Sequence, residues 1–153
     1  MSQIPGPIEK RDILYGVKKL STTESAKLVE TLFHEGWLSD SADFMAYSKD
    51  LSGLEKIRSR AVEEGNSFLF LKVSRLLEEA EVPKDSLLAC AINAEKSGKI
   101  RYAMKAYEKL GNVDKVEELR ATIATDGDII AEAEQSVFIP ETEEEFLESA
   151  EEE

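Results

Sequence analysis

Residues 84–117 read KDSLLACAINAEKSGKIRYAMKAYEKLGNVDKVE. Leu87, Cys90, Ala91 and Ala94 recur at the three- and four-residue spacing that places side chains on one face of an α-helix. Gly98 follows, and Ile100, Ala103 and Tyr107 then resume the same spacing. Glycine suits the position after a helix because that residue often adopts a left-handed conformation. The stretch predicts two antiparallel helices joined by a tight turn, with Ala91 and Ala103 small enough to let them approach closely and Ile100 and Tyr107 filling the space beside them.

The same punctuation recurs upstream. Gly36, Gly65 and Gly98 each end the first helix of an expected hairpin, at separations of 29 and 33 residues. Ser21 with Glu24, and Ser52 with Glu55, have the spacing of a capping box, in which hydroxyl and carboxylate satisfy exposed amides reciprocally. Ile8, Ile13, Leu14, Val17 and Leu20 predict a first helix after Pro5-Gly6-Pro7. Phe68–Leu77 is the one segment where a strand competes; its length and the spacing of Val73, Leu76 and Leu77 decide for helix, expected to be the most buried element. Pro83 separates the second hairpin from the third, Gly111-Asn112 ends the third, and Asp126-Gly127 is expected to break the chain before a last helix around Ile129. Such units cannot bury their apolar faces alone and stack on their neighbours.

Residues 84–117 resemble a tetratricopeptide repeat in register. The resemblance implies an all-α, right-handed α–α superhelix of antiparallel hairpins with about eight or nine helices. It divides the chain into an N-terminal helix or cap (1–20), a hairpin-repeat domain (21–139) and an acidic, disordered tail (140–153). The likeness covers one clear repeat. The same frame places Arg58 and Phe70 at the two small-residue positions of the second hairpin, and Val29 and Ser41 at those of the first, so only the cadence survives there. In the family, the inner face of each first helix lines a groove for an extended peptide. By position that face contains Ala26, Glu30, Phe33 and His34, then Glu55, Ser59, Val62 and Glu63, then Leu88, Ile92, Glu95 and Lys96. Some relatives clamp a C-terminal carboxylate with lysine, arginine and asparagine; here only Lys96 is of that type, so no such clamp is expected. Apolar side chains among four glutamates suit a partner protein or peptide that combines apolar anchors with basic residues.

Composition narrows the alternatives. The 153 residues, 42% of them hydrophobic, suffice for one substantial core or a short solenoid. Net charge is −13, which disfavours a nucleic-acid partner, whose affinity rests on cationic groups. No apolar run approaches the ~20 residues that span a membrane, and residues 1–7 lack a signal-peptide pattern; a cytoplasmic protein is expected. Cys90 is the sole cysteine, excluding an internal disulfide, and its apolar neighbours give it a core role. His34 is the sole histidine. With Glu30 four residues before it, the pair lacks the spacing of a carboxylate–histidine dimetal motif and reads as a surface pair. No phosphate loop or nucleophile elbow occurs, so neither an enzyme nor a cofactor is expected.

Eight of the negative charges lie in Glu141–Glu153, around Phe146-Leu147, whereas residues 96–115 hold six basic residues against Glu108 and Asp114. Lys99, Arg101, Lys105 and Lys109 therefore form a candidate docking stretch for the tail. The alternative to a peptide-binding adaptor is a compact helical bundle, a structural subunit that oligomerises through Phe68–Leu77.

Overall fold

A computed structural model describes residues 4–137, with side chains through residue 126. Eight helices and no strand occur among the described residues: α1 (Pro7–Leu14), α2 (Thr22–His34), α3 (Leu38–Tyr47), α4 (Leu51–Glu64), α5 (Ser67–Leu76), α6 (Lys84–Lys96), α7 (Ile100–Leu110) and α8 (Val113–Val137). Two compact units divide the chain at Val116. The first contains α1–α7 and is described here; the second, from Glu117, contributes most of the single helix α8.

Helices α2/α3, α4/α5 and α6/α7 pack as successive hairpins. Each first helix ends in one kind of turn. The amide of the residue after the turn glycine donates back to a carbonyl in the last turn: Trp37 to Leu32, Asn66 to Ala61 and Lys99 to Ala94, each at 2.8 Å. Gly36, Gly65 and Gly98 take the left-handed conformation that this turn demands, with φ of +82°, +66° and +71°. Lys49 and Glu78 adopt the same conformation after α3 and α5 without being glycine.

The two positions that depart from the small-residue pattern face each other in each hairpin all the same. In the first, the Ser41 hydroxyl donates to the Val29 carbonyl at 3.3 Å. In the second, the Arg58 guanidinium lies 5.9 Å from the centre of the Phe70 ring and bonds to Glu55 and Glu79 at 2.8 and 2.6 Å. Ala91 and Ala103 of the third are fully buried. Residue size varies while register is kept.

Hairpins join through side chains that reach backbone carbonyls 31 to 35 residues away. Lys72 donates to the Ser39 carbonyl at 2.9 Å, Asn93 to Val62 at 2.7 Å, and Ser67 to Tyr102 at 2.6 Å. The second helices form a continuous layer, α3 on α5 and α5 on α7, and α1 packs on α3. Lys10 pairs with Asp40 and Asp43, and Asp43 also pairs with Lys72 at 2.9 Å, tying α1, α3 and α5 together. Ile13, Leu32 and Phe44 form the core beneath α1.

Several expectations are corrected. The capping box at Ser21–Glu24 forms, but α4 is capped by Asp50, whose carboxylate accepts from the Gly53 amide at 3.0 Å. The chain turns at Lys49, which brings Asp50 into the cap position before Ser52 and leaves Glu55 for Arg58. The first helix stops at Leu14, because Gly16 takes φ +80°, and Val17 lies outside it, exposed. Helix α5 forms as a helix, but it buries Ser67, Leu69, Phe70, Val73 and Ser74, no more positions than α3, and Phe68 is half exposed. Asp126-Gly127 does not break α8, since an interior glycine costs a helix only about 1 kcal/mol. The expected tail, 140–153, lies outside the described residues.

The turn glycines differ in one respect that stability measurements can read. A Cβ on Gly65 would stand 2.4 Å from the Ala94 amide nitrogen and 2.5 Å from its Cα, whereas a Cβ on Gly98 would meet nothing within 4 Å. Gly98→Ala should cost about 1–2 kcal/mol, for its backbone conformation alone. Gly65→Ala should cost about 1–3 kcal/mol more, from overpacking. Urea unfolding of both variants checks the order; equal losses would contradict the close approach.

Candidate functional site

The first helices do not form a continuous layer. Helix α4 packs directly on α6, while the Cα traces of α2 and α4 stay more than 8 Å apart. The two junctions differ in side-chain size, counted back from each turn glycine. Where α6 meets α4, Asn93 and Cys90, five and eight residues before Gly98, face Val62 and Ala61, three and four before Gly65. At the corresponding places between α4 and α2 stand Arg60 and Ile57 against Phe33 and Leu32. The Arg60 guanidinium lies 5.5 Å from the centre of the Phe33 ring and bonds to Glu64 at 2.8 Å. This large pair bridges the α2–α4 junction, where a smaller pair lies between α4 and α6.

The gap is a groove of about 590 Å³. Its α2 wall carries Ser25, Ala26, Val29, Glu30 and Phe33; the end of α3 supplies Met45 and Tyr47; Asp50, Gly53 and Lys56 complete the α4 side. A Cβ on Gly53 would stand 2.8 Å from the Met45 sulfur, so glycine leaves α4 room to begin against this corner. The Ser25 hydroxyl is buried on the wall with no hydrogen-bond partner among the described residues.

The sequence-derived groove residues divide into three groups. Ala26, Glu30 and Phe33 line this groove. His34 lies beside it on α2, 3.9 Å from Glu30, both side chains about three-quarters exposed. Glu55, Ser59 and Glu63 of α4, and Leu88, Ile92 and Lys96 of α6, are exposed but do not line it, and Val62 is partly buried with its carbonyl bound by Asn93. Glu95 is turned to internal partners, accepting from Lys115 at 3.1 Å and from the Tyr107 hydroxyl at 3.0 Å. Lys56 and Asp50 are lining charges outside the family frame, which places Glu55, Ser59, Val62 and Glu63 inward, whereas the groove meets α4 at its cap Asp50, at Ser52 and Gly53 and at Lys56.

Of the basic stretch, Lys99 donates to the Glu64 carbonyl, and Arg101, Lys105 and Lys109 are exposed; the tail proposed to meet it lies outside the described residues. Cys90 is fully buried with its thiol on the Ala61 carbonyl at 3.6 Å, and burial pushes its pKa up to about 11. A thiol so placed serves packing between α4 and α6. No helix among the described residues is long and apolar enough to cross a membrane, and no group of three metal-ligating side chains occurs among them. No family model, curated protein or solved structure matches the chain.

Lys115, chiefly, and the Tyr107 hydroxyl hold Glu95 below the ordinary carboxylate pKa, against partial desolvation. A depressed folded-state pKa adds stability above the unfolded value that is lost as pH falls through the folded one. Glu95→Gln should therefore be less stable than the parent at neutral pH, by under about 1 kcal/mol for so exposed a pair. The difference should shrink in acid. Urea midpoints across that range test it; a constant difference would show that the ion pair is not its source.

Proposed function

We propose that this chain is a non-catalytic adaptor of the tetratricopeptide-like kind, its hairpins stacked in a right-handed superhelix, and that the groove between α2 and α4 receives a peptide segment of another protein. The observation that carries the reading is the gap itself. Of the two junctions between first helices, α4–α6 is closed and α2–α4 is not, and the opening is of ligand-cleft size, within roughly 300–1,000 Å³.

The lining defines the partner's chemistry. Val29, Phe33 and Met45 offer apolar contact for one buried side chain. Glu30, three-quarters exposed at the rim, favours a basic residue beside that anchor, and Lys56 on the opposite wall favours a carboxylate or the peptide's carbonyls. The unpartnered Ser25 hydroxyl adds one polar group that a bound segment can satisfy. Binding here would need no movement of α4 on α6, which the Gly65–Ala94 approach fixes.

An array of short peptides pairing one large apolar residue with lysine or arginine supplies the probe, and amide chemical-shift mapping supplies the location. A binder should shift signals of α2 and the first turn of α4. Phe33→Asp should weaken it at least tenfold, about 1.4 kcal/mol. Arg60→Asn with Phe33→Val, which installs the small pair of the α4–α6 contact, should also abolish binding. Shifts confined to other helices, or affinity retained in both variants, would end the groove reading.

A further inference from the structure

On the other side of the hairpin turns, three aromatic residues from successive hairpins gather at a cleft of about 710 Å³: Trp37, Phe68 and Tyr102. Phe68 meets Tyr102 edge-on, ring centres 5.2 Å apart, and still leaves half of its surface exposed. Trp37 is 53% exposed. Large aromatics left open beside one another mark interaction surfaces more often than chance exposure.

The lining holds two acids, Asp40 and Glu64, and two bases, Lys72 and Arg75, but they are not paired with one another. Asp40 and Asp43 are met by Lys10 and Lys72, and Glu64 is met by Arg60. Arg75, which lines the cleft, is exposed and has no carboxylate partner among the described residues. Lys99 reaches only the Glu64 carbonyl at the cleft's edge, and an uncharged group leaves its charge uncompensated. Arg75 in the lining and Lys99 beside it are thus two cations open to a carboxylate next to the exposed aromatics. The cleft shares no lining residue with the α2–α4 groove.

We infer that the Trp37–Phe68–Tyr102 cleft is a second docking surface, fitted to an acidic protein segment that presents an apolar side chain between carboxylates. The apolar residue packs on the open faces of Trp37 and Phe68, and the flanking carboxylates pair with Arg75 and Lys99. The pairing is screened by salt, so affinity falls as ionic strength rises.

Trp37 is the only tryptophan of the chain, so its fluorescence reports on this cleft alone. The probe is the acetylated peptide Glu-Glu-Glu-Phe-Leu-Glu-Glu-Ser, which shares its first six residues with Glu143–Glu148 of this chain. It is titrated at low salt into the chain carrying Phe146→Ser and Leu147→Ser, so that the chain's own copy does not compete, with Gly-Ser in place of Phe-Leu as control. A saturable change in Trp37 emission is expected, weakened at least tenfold by Arg75→Glu, by Phe68→Ser and by the control peptide. Both side chains are exposed, so unchanged far-UV circular dichroism should show that each variant folds; Lys99→Glu gives an independent loss of affinity. No saturable change, affinity unaltered by Arg75→Glu, or equal binding of the control peptide would overturn the inference. So would tighter binding of an oligothymidylate of equal charge, or an emission change that follows protein concentration without peptide, which would make the surface a nucleic-acid site or a self-association face.

Discussion

The arrangement of the hairpins turns on the place where Gly65 passes Ala94 with no room for a methyl group between them. Packing this close requires small residues on both helices, and it is met by Ala61, Cys90 and Ala94, all fully buried. Once α4 and α6 are locked together, Asn93 can span to the Val62 carbonyl and the Cys90 thiol to Ala61. The equivalent turn at Gly36 faces open space. One turn geometry thus serves two purposes, tight nesting at one junction and separation at the other, and the neighbour's side chains choose between them.

That choice locates the groove. A layer of first helices packed evenly would leave only shallow seams, whereas the junction with the bulky pair holds a cleft whose floor is still supported by the second-helix layer beneath. The α3–α5 contact persists under the gap, tied by Asp43 to Lys72 and by Lys72 to the Ser39 carbonyl. The first hairpin is therefore anchored chiefly through its second helix, while its first helix meets α4 at Phe33 and Arg60. The internal ion pairs have the same logic. Arg58, Glu95 and Lys10 are each committed to two partners, which satisfies partly buried charges without making any of them available to a ligand.

Much of this was legible in the sequence because glycine and alanine report backbone geometry directly. Gly36, Gly65 and Gly98 end helices as expected, Ser21 and Glu24 form their box, and Leu87, Ala91, Ala94, Ala103 and Tyr107 are buried as their spacing predicts. The illegible parts involve residues acting against their usual preference. Lys49 and Glu78 take left-handed conformations that favour glycine, so the turn that makes Asp50 a cap carried no signal. Arg58 and Phe70 looked like violations of a small-residue rule, yet a flat guanidinium beside an aromatic ring occupies the interhelical space as a matched pair. Periodicity reads each residue alone, and it cannot see that two misfits compensate.

The groove was half legible for the same reason. Ala26, Glu30 and Phe33 line the cleft because they share one face of α2, whereas the frame's equal spacing between first helices also picked residues of α4 and α6 that do not line it. A further signal lay in the relation between helices: aligning residues by their distance from the turn glycine sets Arg60 against Asn93 and Phe33 against Val62, the larger pair at the junction that is open. The aromatic cleft obeys a related rule. Trp37, Phe68 and Tyr102 come one from each hairpin, at slightly different distances from the turn, and the stacking of second helices brings them to one surface. A stacked array converts residues far apart in sequence into neighbours, and its two openings differ in chemistry because one lies between first helices while the other is gathered along the turns.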